Sequence, residues 1–152
     1  MIHQLAAVDK RAKIGKNVVV EPFTTIAADV EIGDGTWIGP NVTIMDGARI
    51  GKNCRIFPGT VISAIPQDLK FDGEDTQVII GDGTTIRECV TVNRGTKALG
   101  YTKIGDDALI MATSHIAHDC ILGDHVIIVN GCGIAGHVEI GDYTVMGGLS
   151  AV

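Results

Sequence analysis

The hydrophobic positions of this 152-residue chain recur at every sixth residue. Aliphatic side chains occupy this phase over 2–62, 80–92 and 104–152. A small residue follows four positions later, at Val18, Thr36, Cys54, Val90, Ser114, Cys120, Cys132 and Thr144. A period of six fits neither the 3.6-residue helix nor the alternation of a strand, so the pattern predicts a short strand followed by a corner.

A longer period of 18 residues is superimposed on the hexads. Related tetrapeptides mark it: "IGKN" at Ile14 and Ile50, "IGDG" at Ile32, "IGDD" at Ile104, "LGDH" at Leu122 and "IGDY" at Ile140. Glycine, Asp and Asn tolerate the backbone angles of a tight turn, so each tetrapeptide predicts the same corner of successive coils. Three hexads therefore make one coil.

Two interruptions of the repeat predict two loops. The "IGDG" at Ile80 comes 30 residues after Ile50 and 24 before Ile104, so 12 and 6 residues must leave the coil. We expect these excursions near 63–79 and 95–103. The three residues that break the hexad phase fall inside them: Asp68, Glu74 and Ala98. This placement is consistent, because an inward carboxylate would be buried without a partner.

The repeat predicts an all-β fold, a stacked parallel solenoid of triangular cross section. It resembles the left-handed parallel β-helix of the hexapeptide-repeat family, and the left hand is implied by that resemblance, since ordinary crossover rules favour the right hand. No charge run or linker suggests a second domain, so we expect residues 1–152 to form a single β-helix domain.

Unusual polar residues converge on one edge of the predicted solenoid. Residues 18 apart, once the loops are excised, lie above one another at the strand spacing of about 4.8 Å. His118 then occupies a corner below Gly136, with Asp119 below His137 and His115 close by. The first loop leaves from the same edge.

The loop adds Asp68 and Lys70 to this cluster. Solenoid corners are ordinarily polar, and a single histidine there is usually only solvated. Convergent ionisable groups beside a loop nevertheless favour a functional site.

A zinc site is one alternative, because histidine is a common zinc ligand. The spacing of His115, His118 and His137 differs from the histidine spacing of the gamma-class carbonic anhydrases, so we expect no metal.

The cysteines do not form a metal-binding CxxC pair. Cys54, Cys120 and Cys132 occupy the small inward position of the hexad, and we expect them to be reduced thiols. A nonenzymatic solenoid scaffold would need no such cluster.

Acyl transfer by general base catalysis is a second alternative. A histidine with a pKa near neutrality can take a proton from an attacking hydroxyl, which is typically worth about 10²–10⁴ in rate. His118 fits this role, and Asp119 could orient its ring. The backbone N–H of Gly136, one coil above, is placed to donate to a tetrahedral intermediate.

Composition narrows the class of protein only slightly. Glycine is abundant at 20 residues, aromatic residues make up 4%, and a net charge of −6 argues against nucleic acid as a general partner. The first residues lack a signal-peptide pattern, and no apolar run reaches the roughly 18 residues of a membrane span. We therefore expect a soluble, cytoplasmic protein without membrane insertion.

Four segments resemble a known family beyond their fold: "QDLKFDGEDT", "IRECVTVNRGT", "SHIAHDC" and "IAGHVEIGD". Together they resemble the UDP-N-acetylglucosamine O-acyltransferases of lipid A biosynthesis. The resemblance implies transfer of an (R)-3-hydroxyacyl group from acyl carrier protein, through its phosphopantetheine thioester, to the 3-hydroxyl of UDP-N-acetylglucosamine, with no separate cofactor. Another hexapeptide-repeat acyltransferase, forming an ester or an amide, is the runner-up.

The resemblance also implies roles for individual residues. His118 corresponds to the general base, with Asp119 beside it and Gly136 as the oxyanion donor. His115 and His137 correspond to active-site histidines that contact the substrate.

Further substrate-binding positions come from two of the segments. Gln67, Asp68 and Lys70 correspond to residues that bind the nucleotide sugar and its phosphates. Asn93 stands where the family usually has a histidine before the arginine; its amide can form hydrogen bonds but cannot titrate.

The family also implies an assembly and a greater length. Its members continue with further coils and a C-terminal helical region, so we expect this chain to be truncated at its carboxyl end and to lack that region. An outward apolar stripe predicts either a partner surface or a surface that the missing C-terminal region covers: Val19, Trp37, Leu109, Ile127 and Val145. The resemblance implies that this partner is a second copy, in a parallel homotrimer.

Overall fold

The computed structural model describes all residues 1–152 and contains 21 short strands and no helix. The strands are wound into a left-handed parallel β-helix, in which each coil contributes one strand to each of three seven-stranded parallel sheets. The predicted fold class is confirmed. None of its segments forms a helix with the length and hydropathy that crossing a membrane requires.

The strands are numbered in chain order, and every third strand belongs to the same sheet. Sheet 1 contains β1 (Ala7–Val8), β4 (Thr25–Ile26), β7 (Thr43–Ile44), β10 (Val61–Ala64), β13 (Thr91–Asn93), β16 (His115–Ile116) and β19 (Gly133–Ile134). Sheet 2 contains β2 (Lys13–Ile14), β5 (Glu31–Ile32), β8 (Ala48–Ile50), β11 (Gln77–Ile80), β14 (Tyr101–Ile104), β17 (Ile121–Leu122) and β20 (Glu139–Ile140). Sheet 3 contains β3 (Val19–Val20), β6 (Trp37–Ile38), β9 (Arg55–Ile56), β12 (Thr85–Ile86), β15 (Leu109–Ile110), β18 (Ile127–Ile128) and β21 (Val145–Met146).

The corners between strands depend on residues in the left-handed backbone region. At the corner between sheets 2 and 3, five stacked residues have φ between 50° and 60°: Asn17, Asn53, Asp107, His125 and Tyr143. Asn and Asp enter this region at lower cost than other residues with a β-carbon. At this corner, such a residue turns the chain sharply enough for the next two-residue strand to begin on a new face.

The hexad residues form the core. From Val20 to Ile134, every predicted inward aliphatic residue outside the loops is at most 4% exposed. The parallel register stacks like on like, with Ile86 between Ile56 and Ile110 in sheet 3. Towards the two ends the ladder is less enclosed, and Ile2 is exposed. Burial of a full isoleucine side chain contributes about 1.5–3 kcal/mol, so this ladder is the main source of stability.

The cysteines follow the same inward pattern. Cys54, Cys120 and Cys132 are buried in the small position of the hexad, whereas Cys89 is exposed at a corner, and all four are free thiols. Burial raises the pKa of the Cys54 and Cys120 thiols, so both stay neutral and act as compact hydrophobic groups.

Both predicted loops are present and are shorter than their predicted windows. The first loop (65–76) runs between β10 and β11, and the second loop (94–100) runs between β13 and β14. The difference arises because β10, β11 and β14 extend to four residues each, which continues the ladder beyond the hexad pattern. Both loops leave the corner between sheets 1 and 2.

Candidate active site

His118 and Asp119 lie at the corner that follows β16. The strand directs His115 outward and Ile116 into the core, and the chain then turns towards sheet 2. Asp119 adopts φ 58°, in the left-handed region, and its N–H donates to the Thr102 hydroxyl at 2.9 Å. This turn directs the Asp119 side chain back towards its own neighbour, His118.

The two side chains form a hydrogen-bonded pair. Nδ1 of His118 lies 2.8 Å from Oδ2 of Asp119, and the Asp119 side chain is fully buried while that of His118 is 13% exposed. A carboxylate can only accept, so Nδ1 carries the proton and Nε2 of His118 is left as a free acceptor. The pair therefore has the geometry of a base oriented by a carboxylate.

The second loop holds the Asp119 carboxylate. Thr96 donates its N–H to Oδ1 at 2.9 Å and its hydroxyl to Oδ2 at 2.6 Å, and the Leu99 N–H donates to Oδ1 at 3.3 Å. Burial raises the pKa of the Asp119 carboxyl, but the hydrogen bonds from Thr96, His118 and Leu99 lower it by more, and the pKa lies below its ordinary value. The carboxylate is thus kept ionised in a buried position.

Gly136 lies directly above the ring of His118. A β-carbon built on Gly136 would stand 2.5 Å from Cε1 and 2.7 Å from Nε2 of His118, closer than any real contact allows. The Gly136 N–H makes no hydrogen bond within the chain, although its neighbours Ala135 and His137 both donate theirs. Glycine is therefore required here by the imidazole, and it presents an unbonded donor close to Nε2.

His115 is the second histidine of the site. Its Nδ1 and the Thr91 hydroxyl of the coil below are joined by a hydrogen bond of 2.7 Å. Burial lowers the pKa of His115; contact with the main chain of Thr91 opposes this, and the charge of His118 lowers it further. His115 is thereby favoured in its neutral form.

His137 completes the cluster at the surface. Its side chain is 57% exposed, and its ring centroid lies 5.0 Å from that of His118 at a near-perpendicular angle. Its Nδ1 is 3.9 Å from Oδ2 of Asp119, beyond hydrogen-bonding distance. His137 is free to bind a ligand.

Two clefts meet at this edge. The larger has a volume of about 570 Å³ and is lined by Gln67 from the first loop together with His115, His118 and Gly136. The smaller, of about 120 Å³, lies between the two loops. Its polar lining includes Asp68, Lys70, Thr96, Lys97 and His137.

The structure brings together most residues that the sequence placed at this edge, but Asn93 lies below the site. Its side chain is buried, and its amide nitrogen donates to the carbonyl of Ile65, where the first loop begins. Asn93 thus anchors the loop that carries Gln67, Asp68 and Lys70. The sequence analysis did not predict that Thr96 and Leu99 bind Asp119 or that Thr91 binds His115. The only available signal was that Thr96 ends the "NRGT" part of a segment that resembles the family.

The ligand atoms of His118, Asp119 and His137 all lie within 4.8 Å of one another, a spacing at which three groups could hold a metal ion. The carboxylate oxygens of Asp119, however, already accept four hydrogen bonds from His118, Thr96 and Leu99. A cation would have to displace one of these donors. The donor set therefore suits an oriented base better than a metal site.

The coil geometry and the hexads define a class, the hexapeptide-repeat transferases. The family profile "Bacterial transferase hexapeptide (six repeats)" matches residues 29–64 and 101–136 of this chain. The first segment ends where the first loop begins, and the second begins where the second loop ends and runs to Gly136, so the match includes the corner that holds His118 and Asp119.

Within this class, the sequence is similar to UDP-N-acetylglucosamine acyltransferases. It is 46% identical, over 99% of its length, to the acyl-[acyl-carrier-protein]--UDP-N-acetylglucosamine O-acyltransferase of Campylobacter concisus, of which it covers 58%. Among solved structures, the UDP-N-acetylglucosamine acyltransferase of Francisella novicida superposes with a TM-score of 0.97 at 43% identity, covering 99% of this chain and 55% of that one. The UDP-N-acetylglucosamine acyltransferase of Bacteroides fragilis superposes with a TM-score of 0.91 at 40% identity, and the match covers 100% of this chain and 67% of that one.

The chain belongs to the acyl-[acyl-carrier-protein]--UDP-N-acetylglucosamine O-acyltransferase family of hexapeptide-repeat acyltransferases. It spans 58% of the length of the Campylobacter concisus relative. The family predicted from the four sequence segments is thus confirmed.

Proposed function

We propose that this chain carries the catalytic edge of an enzyme that transfers an (R)-3-hydroxyacyl group from acyl carrier protein to the 3-hydroxyl of UDP-N-acetylglucosamine, the first step of lipid A biosynthesis. The observation that carries the proposal is the His118–Asp119 pair, 2.8 Å apart, whose free Nε2 lies at the larger cleft beside the unbonded N–H of Gly136. Family membership supplies the substrates.

The reaction requires one proton to move twice. Nε2 of His118 takes the proton of the sugar hydroxyl as its oxygen attacks the thioester carbonyl, and Asp119 stabilises the resulting imidazolium. The N–H of Gly136 donates to the oxyanion of the tetrahedral intermediate. When the carbon–sulfur bond breaks, His118 returns the proton to the departing thiolate, so ester and free thiol are formed and no resident cofactor or metal is consumed.

The two clefts suggest where the substrates bind. The larger is mostly apolar in lining and suits the acyl chain and the thioester, and Gln67 at its edge can hydrogen-bond a polar group there. The smaller offers Lys70 for phosphate oxygens, with Asp68 and His137 for sugar hydroxyls. Asn93 contributes to binding by holding the loop that carries Gln67, Asp68 and Lys70.

A homotrimer is part of this proposal. In sheet 3, Val19 and Trp37 form one outward apolar pair and Leu109 and Ile127 form another, all partly exposed, with Arg55 and Thr85 between the two pairs. Apolar patches of this kind favour a protein partner, and the family favours a second copy of this chain. Sedimentation equilibrium distinguishes the trimer from a monomer, and Ile127→Glu should weaken association. A monomer at micromolar concentrations would contradict this part of the proposal.

A cytoplasmic location is also proposed. The four free cysteines fit a reducing compartment, where thiols remain unpaired. Fractionation of cells that produce the protein, with a cytoplasmic and a periplasmic marker enzyme, tests this directly.

The decisive experiment measures acyl transfer from a panel of (R)-3-hydroxyacyl carrier proteins to UDP-N-acetylglucosamine. It uses the chain as it stands and the chain continued past Val152 by the corresponding part of the Campylobacter concisus relative. His118→Ala should reduce turnover by about 10²–10⁴-fold while the protein stays folded. The matched control is His125→Ala, because His125 lies at a remote corner stacked on Tyr143.

Three outcomes would change the proposal. Transfer to an amino sugar but not to the hydroxyl would assign the chain to the amide-forming acyltransferases. Near-normal turnover of His118→Ala would make the base assignment wrong. If neither wild-type form transfers acyl groups and metal analysis finds stoichiometric zinc, the metal-site alternative at His118, Asp119 and His137 would be favoured.

A further inference from the structure

The second loop is attached to the catalytic corner mainly through Thr96. Both the N–H and the hydroxyl of Thr96 donate to Asp119, at 2.9 and 2.6 Å, and the residue is only 5% exposed. Within the loop, the Thr96 hydroxyl accepts from Ala98 N–H at 3.2 Å and its carbonyl accepts from Gly100 N–H at 2.7 Å. Every polar atom of Thr96 is therefore engaged.

The Thr96 hydroxyl and the His118 ring share one carboxylate oxygen. Oδ2 of Asp119 accepts from Thr96 Oγ1 and from His118 Nδ1, at 2.6 and 2.8 Å. Oδ1 meanwhile accepts only main-chain donors, from Thr96 and Leu99. The hydroxyl is thus the single side chain besides His118 that fixes the rotation of the carboxyl group.

We propose that Thr96 is a positioning residue for the catalytic pair: it orients the Asp119 carboxylate so that His118 holds its proton on Nδ1 and offers Nε2 to the substrate. The consequence for rate rests on the proposed function, whereas the orientation of the ring does not. Without the hydroxyl, Oδ2 loses a short charge-assisted hydrogen bond, the kind that is roughly twice as strong as a neutral one. The carboxyl group is then held only by His118 and by the main-chain bonds to Oδ1, so its orientation is less restricted and the ring can adopt its other tautomer.

A merely structural role makes different predictions. If Thr96 only tied the second loop to the solenoid, its removal would lower the melting temperature and leave the state of the His118 ring unchanged. The ring nitrogens therefore provide the distinguishing signal, because their chemical shifts report which nitrogen carries the proton.

The experiment compares Thr96→Val, which removes the hydroxyl at nearly constant shape, with Thr96→Ser, which keeps it. Histidine labelled with ¹⁵N is followed in the chain continued past Val152. Thr85→Val is the matched control, because Thr85 lies in β12 of sheet 3, away from the catalytic corner. His118 signals are assigned by their loss in His118→Ala. We expect wild type, Thr96→Ser and Thr85→Val to show the proton on Nδ1, and Thr96→Val to show a mixture of both tautomers.

Kinetics provide the second reading. Thr96→Val should lower kcat by about tenfold with KM within about twofold of wild type, a fraction of the full contribution of a general base, and Thr96→Ser should restore kcat. An unchanged ring spectrum in Thr96→Val together with unchanged kcat would overturn the proposal, whatever the change in melting temperature. If Thr96→Val cannot be purified, Thr96→Ala makes the same comparison.

The two proposals fail in distinguishable ways. If the wild-type protein does not transfer acyl groups, the proposed function is wrong, and the nitrogen spectra still decide whether Thr96 positions His118. If transfer is normal in wild type and neither the spectra nor kcat change in Thr96→Val, only the positioning role is lost.

Discussion

Gly136 and His118 are in direct vertical contact: the imidazole of one coil occupies the space where a β-carbon of the next coil would stand, at 2.5 Å from Cε1 and 2.7 Å from Nε2. A residue with a side chain could replace Gly136 only if the imidazole of His118 moved away. The glycine and the histidine are therefore a matched pair, because the ring fits only where the next coil has no β-carbon.

This contact predicts a large effect of Gly136→Ala on catalysis. The new methyl group must displace the ring of His118, and a misplacement of about 1 Å costs roughly 100-fold in rate. We expect turnover to fall about 100-fold while the circular dichroism spectrum is retained. The control is Gly147→Ala, because a β-carbon there meets nothing within 4 Å and Val129 occupies the equivalent place one coil below. Equal activity of the two variants would refute the contact as described.

The core ladder predicts a sharp difference between adjacent isoleucines in β11. Ile80 points inward between Ile50 and Ile104 and is 2% exposed, whereas Ile79 points outward. Ile80→Ala should lower the free energy of unfolding by about 2–5 kcal/mol, since it removes buried contacts and leaves a cavity. Ile79→Ala should change it by less than about 1 kcal/mol. Urea unfolding measures both, and similar losses would contradict the assigned face.

The hydrogen bond from Asn93 to the start of the first loop predicts that this bond limits the mobility of the loop. Its amide donates to the Ile65 carbonyl at 2.8 Å, and Asn93→Ala removes one hydrogen bond worth about 1 kcal/mol. We expect amide hydrogen exchange across 65–76 to accelerate about fivefold, with little change in the core strands. Gln67→Ala, on the exposed part of the loop, should leave the exchange of the other loop amides unchanged. Unchanged exchange in Asn93→Ala would show that other contacts hold the loop.

Much of this architecture could be predicted from the sequence, because the repeat fixes geometry. Once residues 18 apart are stacked, the positions of Ile116, His118 and Gly136 follow by counting, and the structure agrees. Thr96 could not be placed in this way, because it belongs to a loop outside the repeat and reaches Asp119 through hydrogen bonds that no period encodes. The burial of Asn93 was missed for a related reason: the ladder of β13 continues one residue beyond its hexad.

A column of aspartates predicts that one carboxylate is replaceable by an amide. Asp106 Oδ1 accepts the Asp82 N–H at 2.8 Å, and the same bond repeats from Asp106 to Asp124 and from Asp124 to Asp142. Stacked like charges repel, but the oxygen is needed as an acceptor. Asp106→Asn should therefore keep or raise Tm, whereas Asp106→Ala should lower it by about 2–4 °C. A lower Tm in Asp106→Asn than in Asp106→Ala would contradict this account.

The shifted pKa values of His115 and Asp119 predict how stability depends on pH. Burial lowers the pKa of His115 below 6.5, so the folded state binds the proton less well than the unfolded state, and this contribution is present above pH 6.5 and is lost as pH falls below it. For Asp119, burial raises the pKa but hydrogen bonds lower it more, to a net value below 3.8, so its contribution is lost as pH falls below 3.8. Acidification should therefore destabilise the protein in two separate stages.

Urea unfolding at about pH 7.5 and pH 5.5 isolates the first stage. We expect a lower free energy of unfolding at pH 5.5, and a smaller difference between the two pH values in His115→Gln, whose side chain can still bond the Thr91 hydroxyl but does not titrate in this range. His3→Gln is the control, because His3 lies outside the site and should leave the difference unchanged. A wild-type protein more stable at pH 5.5, or a pH dependence unaffected by His115→Gln, would show that burial of His115 does not govern this stage.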